Sequence, residues 1–171
     1  MRIVVEELPE AGLELAFGPT DRWAVDAARQ GLDGEVLELA GTLRVRRLGP
    51  GVQVTGRARA AVAQRCVRCL REVRVVVDGP VSLWYEASPE HAPDQAALTA
   101  DALDVGFLEG GDLDLGVVLM EFFALEGPTV VRCADPLVEV LEEGPCELAT
   151  VDPEPAMDPR FAILKDLDLD G

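Results

Sequence analysis

An α+β fold, an antiparallel sheet covered by one central amphipathic helix, is what this chain predicts. Two stretches, 36–47 and 52–63, alternate apolar and polar residues, the period of half-buried strands. Leu115, Val118, Leu119, Phe122 and Leu125 then recur at helical spacing. Gly/Pro punctuation separates these segments, as at Leu48-Gly49-Pro50-Gly51.

Taken in order, the residues up to about Pro19 mix apolar and acidic positions and read as strand or loop. Thr20-Asp21 offers an N-cap for a short helix through Trp23, Ala24, Ala27 and Ala28, stopped near Gly31. In 36–47, Leu37, Leu39, Leu43 and Val45 face inward and Glu38, Thr42, Arg44 and Arg46 outward. In 52–63, Val52, Val54, Ala58 and Val62 face inward and Thr55, Arg57 and Arg59 outward. Val73, Val75 and Val77 begin a third strand, Asp78-Gly79-Pro80 reads as a turn, and Val81, Leu83 and Tyr85 mark a fourth. The result is a meander of four to six strands that can curl toward a partly closed barrel. Ala102 to Leu108 reads as a short strand. Asp112 or Asp114 caps the central helix, and Gly127-Pro128 ends it. Short C-terminal helices are expected after Asp135-Pro136 and after Asp158-Pro159. The whole chain, 1–171, reads as a single domain: a strand core at 36–86 that includes a CxxC turn, a mobile loop at 87–101, and a helical C-terminal part at 112–171.

Composition bounds the function classes. Apolar residues make up 49% of the chain, enough for a real core, but aromatics only 5%, so that core is mostly Val, Leu and Ala. No apolar run reaches the roughly 18 residues that span a membrane. The opening Met1-Arg2-Ile3-Val4-Val5-Glu6-Glu7 turns acidic at once and does not read as a signal peptide. The expectation is a cytoplasmic protein without a membrane role. A net charge of −17 argues against a general nucleic-acid binder, yet it leaves room for one cationic face and for basic partners.

Charge is unevenly placed. Residues 44–74 hold nine arginines and a single acid, Glu72, and so carry +8, which leaves −25 on the remainder. Arg44, Arg46, Arg57, Arg59, Arg65, Arg68, Arg71 and Arg74 are the candidate contacts for RNA or another partner. The bland alternative is a solvated strand face paired with distant acids. No Phe, Tyr or Trp is interleaved, so an RNA-binding face of this kind reads shape and charge.

Inside that stretch lies Cys66-Val67-Arg68-Cys69, and far downstream stand Cys133 and Cys146 with twelve residues between them. A close thiol pair at a bend is half of a tetrahedral zinc site. Cys133 and Cys146 complete it only if the second half of the chain folds back onto the turn. Otherwise the pair is a tight turn with reduced thiols, or a disulfide or redox pair. Redox chemistry prefers the pair at a helix N-terminus, and here it lies between strand patterns. The lone histidine, His91, and the serines Ser82 and Ser88 have no partnering motif, and no phosphate-loop, dinucleotide or zinc-protease signature occurs. Asp112 and Asp114 are better placed to cap a helix than for acid–base work, and Glu142-Glu143 reads as a solvated helix end. These residues point to a non-enzyme without a small-molecule substrate.

Three ordered blocks carry a resemblance: Val54-Thr55-Gly56 running into Cys66-Val67-Arg68-Cys69-Leu70; Asp112-Leu113-Asp114-Leu115-Gly116 through Phe122-Phe123-Ala124-Leu125, followed by Pro128 and Cys133; and Asp158-Pro159-Arg160-Phe161-Ala162-Ile163-Leu164-Lys165. Together they resemble the YceD-like family, bacterial and plastid proteins linked to accumulation of large-subunit ribosomal RNA. The likeness covers most of the chain from about residue 35. It implies a non-catalytic factor in assembly or stability of the large subunit, with ribosomal RNA or ribosomal proteins as partners. The alternatives are an acidic interaction adaptor unrelated to RNA and, from the enzyme class, a CxxC thiol oxidoreductase. One departure stands out. Many relatives carry a run like Cys-x-Gly-Leu-Cys-x-x-Cys-Gly after the helix, whereas here Cys133 and Cys146 flank what reads as a short helix. The second close pair is absent, which argues against a family-type C-terminal metal site.

Overall fold

The computed structural model describes residues 1–87, 105–108, 110–141 and 146. Its frame is three long strands. β3 (Glu35–Leu48) and β4 (Gly51–Arg65) form a hairpin whose turn places Gly49 in the left-handed region at φ 57°. β4 then pairs antiparallel with β5 (Glu72–Ala87) along its whole length, from Gly51↔Glu86 to Arg65↔Glu72. Shorter strands finish the sheet. β2 (Leu13–Phe17) pairs with β3, while β6 (Val105–Leu108) pairs in parallel with β5 at Trp84–Ala87. β8 (Val138–Val140) pairs antiparallel with β5 at Val73–Val75. The path β2-β3-β4-β5-β6 ends in two open edges, so the sheet does not close into a barrel. β1 (Arg2–Val4) and β7 (Asp112–Asp114) make a separate two-stranded ribbon.

Alternation follows the sequence pattern closely. Leu39, Leu43 and Val45 of β3, Val52, Val54, Ala58, Ala60 and Val62 of β4, and Val73, Val75, Val77 and Val81 of β5 are all buried. They line the face covered by the helices α1 (Arg22–Leu32) and α2 (Leu115–Glu126). Leu37 departs from the expectation and is exposed. The register shifts between Val36 and Glu38, so Leu37 is the extra residue of a β-bulge and turns out of the core.

Asp78-Gly79-Pro80 is not a turn. β5 runs straight through it, pairing Asp78 with Arg59, Gly79 with Ala58 and Pro80 with Arg57. Three local facts allow this. Val76 N–H points away from β4, to Leu137 O at 2.8 Å, so the nitrogen of Pro80, four residues on, faces the same side. Among the described residues β5 has no ladder partner there between Val75 and Trp84, so Pro80 forfeits no ladder bond. Gly79 is buried beneath Phe122, whose ring lies 3.5 Å from where a Cβ would be.

The segment after Asp135-Pro136 is likewise not a helix. The Asp135 carboxylate accepts from Leu137 N–H at 2.9 Å, an Asx turn that hands the chain into β8. Val138, Glu139 and Val140 alternate, and the edge of β5 offers them a ladder that a two-turn helix would not have. The helix expected after Asp158-Pro159 and the loop at 88–101 lie outside the described residues.

α1 follows Asp21, whose carboxylate accepts from Gly18 N–H at 2.9 Å, tightening the entry turn without capping the helix directly. Gly31 does not stop α1. It is the site where α1 crosses α2, and a Cβ there would stand 2.6 Å from Met120 O and 2.9 Å from Phe123 Cβ. The helix ends one residue later, with Asp33 left-handed at φ 49°. Asp114 is the cap of α2: its Oδ1 accepts from Gly116 N–H at 2.8 Å and also from the Met1 ammonium at 3.2 Å. Gly127 closes α2 by donating its N–H to Phe123 O. Gly31→Ala is expected to lower stability in urea denaturation although alanine is the better helix former by ~1 kcal/mol, because the backbone of α2 cannot yield to the new methyl group.

Candidate functional site

The CxxC turn joins the end of β4 to the start of β5. Cys66 N–H donates to Arg71 O at 2.9 Å and Leu70 N–H donates to Cys66 O at 2.8 Å, which closes the turn on itself. This places Leu70 in the left-handed region at φ 61°, unfavourable for a bulky residue, while its side chain remains 70% exposed. Val67 N–H donates to Val131 O at 3.0 Å, and that bond draws the chain leaving α2 against the turn. Cys133 follows two residues later.

All four cysteine sulfurs converge. Cys69 Sγ lies 3.5 Å from Cys133 Sγ, Cys66 Sγ lies 3.9 Å from Cys146 Sγ, and all four lie within 4.8 Å of one another. The second half of the chain thus does fold back onto the turn, even though the second close pair is missing from the sequence. Cys66 is fully buried and the other three are half-buried. Burial pushes the Cys66 thiol up, but backbone N–H groups of Cys69, Arg68 and Cys133 directed at its sulfur prevail and hold it at about 6. Burial, with hydrogen bonds that the Cys133 thiol donates to Cys66 and Cys69, pushes Cys133 up to about 12. Hydrogen bonding to Cys69 raises Cys146 as well. One thiol, Cys66, is thus easier to ionise, while Cys133 and Cys146 beside it are harder to ionise.

The arginines fall into three places. At the centre of the outer face, Arg57 pairs with Asp78 at 2.8 Å, and Arg59 reaches Asp78 at 3.3 Å and Glu38 at 3.8 Å. Arg74 joins Glu38 at 2.6 Å to Glu139 at 3.1 Å. These three arginines and three acids form one neutral chain across β3, β4, β5 and β8. Arg44 and Arg46 lie toward the β3–β4 turn, and Arg65, Arg68 and Arg71 lie at the CxxC turn. Arg46 stands opposite Gln53, twelve residues along β4 from Arg65, a separation of about 40 Å at ~3.3 Å per residue. One patch is therefore two basic ends with a neutralised middle.

Sequence reasoning missed two members of these ends. Arg132 lies beside Cys133, and its adjacency to a cysteine was the available signal. Trp84 sits across β4 from Arg46, in the row Arg46–Gln53–Trp84, an aromatic neighbour that only the β4–β5 register reveals. A groove of about 530 Å³ opens beside the cysteine cluster between the C-terminal ends of both helices, lined by Gly31, Leu32, Val67 and Val131 among others. Helix C-termini carry negative partial charge, so the groove itself does not favour an anion.

Residues 54–168 match the sequence model of a family described as large ribosomal RNA subunit accumulation protein YceD. The chain belongs to the YceD family. The match takes in the CxxC turn, α2 and all four cysteines. No curated protein and no solved structure matches the chain significantly. Among the described residues no helix is long and apolar enough to cross a membrane.

The ion-pair chain carries a pH signature. The hydrogen bond from Arg57 holds the Asp78 carboxyl below its ordinary range, against a smaller opposing effect of desolvation and with help from Arg59. A carboxyl depressed in the folded state stabilises fully above its unfolded value of about 3.9 and loses that contribution as pH falls through the lower folded value. Asp78→Asn is accordingly expected to reduce stability at neutral pH, with the difference from the parent shrinking as the medium is acidified. Urea midpoints of both proteins measured at neutral pH and near pH 3 check this; a constant difference contradicts it.

Proposed function

We propose that the protein is a non-catalytic factor in the accumulation of large-subunit ribosomal RNA and that it touches that RNA through the arginines of the CxxC turn. Family membership supports the setting. The observation that carries the contact is the electrostatic division of the sheet. Arg57, Arg59 and Arg74 are committed to Asp78, Glu38 and Glu139. Arg65, Arg68 and Arg132 have no ion pair among the described residues, and they surround a turn whose backbone is held at both ends.

The chemistry suits phosphate. Arginine presents a planar fork to phosphate oxygens and stays charged at any physiological pH. An acidic remainder repels nucleic acid elsewhere, so the contact is confined to the basic ends and orients the protein on its target. Without base-stacking aromatics at the turn, recognition there rests on backbone shape and charge. The same acidic remainder suits basic ribosomal proteins beside the RNA. Arg44 and Arg46, with Trp84 close by, give the hairpin end a second, subsidiary contact.

Co-sedimentation with large-subunit particles tests this reading. The variant R65E/R68E/R132E is expected to lose association, while R44E/R46E loses less of it. Parental association should weaken with salt by roughly 0.7–0.9 log units per log unit of salt for each phosphate neutralised. Binding that survives the triple reversal and is insensitive to salt would instead indicate docking on a protein through apolar contacts. Circular dichroism of each variant verifies that the sheet is intact.

A further inference from the structure

The cysteine cluster goes unused in that reading, and its geometry has its own chemistry. We propose that Cys66, Cys69, Cys133 and Cys146 bind one zinc ion in a closed, structural tetrathiolate site. A zinc ion holding four sulfurs at ~2.3 Å separates them by about 3.8 Å along each tetrahedron edge. The cluster shows 3.5 Å for Cys69–Cys133 and 3.9 Å for Cys66–Cys146, and no sulfur is more than 4.8 Å from another. Disulfides would need contacts of about 2.05 Å. Both of these contacts cross between the two halves of the chain. Four sulfurs this close enclose a single ion and leave no room for a polynuclear cluster. An all-sulfur donor set excludes the hard cations, which take oxygen.

Two surrounding features fit an ion at this place. Four thiolates around one divalent cation carry a net charge of −2, and Arg65, Arg68 and Arg132 stand next to Cys66, Cys69 and Cys133 in the chain. Finally, the turn keeps bulky Leu70 left-handed at φ 61°, a strained conformation that must be held by something stronger nearby. Loading releases the remaining thiol protons to solvent, so zinc binding is coupled to proton release. All four positions are filled by protein, so the ion has no open site for substrate.

The cluster also explains the twelve-residue gap between Cys133 and Cys146. The inserted residues include β8, which the sheet edge at Val73–Val75 receives. An ion at the cluster ties both ends of this insertion to the turn, doing for Cys146 what a second CxxC would do by proximity in sequence. This inference stands whether or not the protein meets ribosomal RNA.

Elemental analysis of the full chain purified under reducing conditions tests it, together with a thiol count before and after denaturation in a chelator. One zinc per chain is expected, with four thiols reactive only after chelation and unfolding. Cys146→Ser is expected to lose at least tenfold in zinc affinity. Because that variant could fail to fold, a second measurement uses the unaltered protein: cobalt(II) should give the absorption of a tetrahedral tetrathiolate and be displaced by one equivalent of zinc. Metal-free protein with four readily titrated thiols and no cobalt spectrum overturns the proposal. So does protein without free thiols after denaturation in the absence of reductant, which would mean two disulfides.

Discussion

The β4–β5 ladder is the constraint on which the remaining structure depends. It is the longest pairing among the described residues, from Gly51↔Glu86 to Arg65↔Glu72, and it is possible only because β5 continues through Asp78-Gly79-Pro80. Were the chain to turn there, the CxxC turn at one end of β5 and the β6 pairing at the other would lose their fixed separation. The ladder holds because each awkward residue meets a complementary neighbour. Arg57 and Arg59 fasten Asp78, Phe122 covers Gly79, and among the described residues no strand pairs with β5 at Pro80 on its far side. Exposed ion pairs of this kind contribute little to stability. Their effect is on register: a slip by one residue would carry Val73, Val75, Val77 and Val81 out of the core.

From that ladder the site follows. The CxxC turn is where β4 hands over to β5, and the first residues of β5 are the ones that receive β8. Val67 N–H to Val131 O and Val76 N–H to Leu137 O fix the returning segment on both sides of Cys133. Cysteines 64 and 80 residues apart in sequence therefore meet. The same geometry sets the charge. Glu139 of β8 completes the neutral chain with Arg74 and Glu38, while Arg65, Arg68 and Arg132 have no ion pair among the described residues. The basic end at the turn lies beyond that chain.

Much of this was legible in the sequence because it is local. Period-2 alternation located β3 and β4, the spacing from Leu115 to Leu125 located α2, and the Asp114 cap and Gly127 stop are chemical signals within one turn of the helix. The three blocks of residues that resemble the YceD family agree with the family match. What could not be read was decided by partners distant in sequence. Asp78-Gly79-Pro80 carries every local mark of a turn and is overruled by Arg57, Arg59 and Phe122. Val138–Val140 is too short to declare itself and becomes a strand because β5 has a vacant edge. Leu37 leaves the core because a bulge interrupts the period it was counted on. The eight arginines look like one patch in sequence, but the length of β4 parts them and acids from β3, β5 and β8 neutralise the middle. Cys146 could be joined to the cysteine pair only by a return of the chain that no spacing rule requires.

Residue-resolved hydrogen exchange, comparing the parent with Cys146→Ser, asks whether the proposed cysteine-bound ion clamps the 131–141 segment onto the edge of β5. Loss of the clamp is expected to speed exchange of the Val67 and Val76 amides, whose acceptors are Val131 and Leu137, and of the β8 ladder, while the amides at the centre of the β3–β4 hairpin keep their protection. Unchanged protection at Val67 and Val76 would contradict the account, as would a uniform loss across the whole sheet.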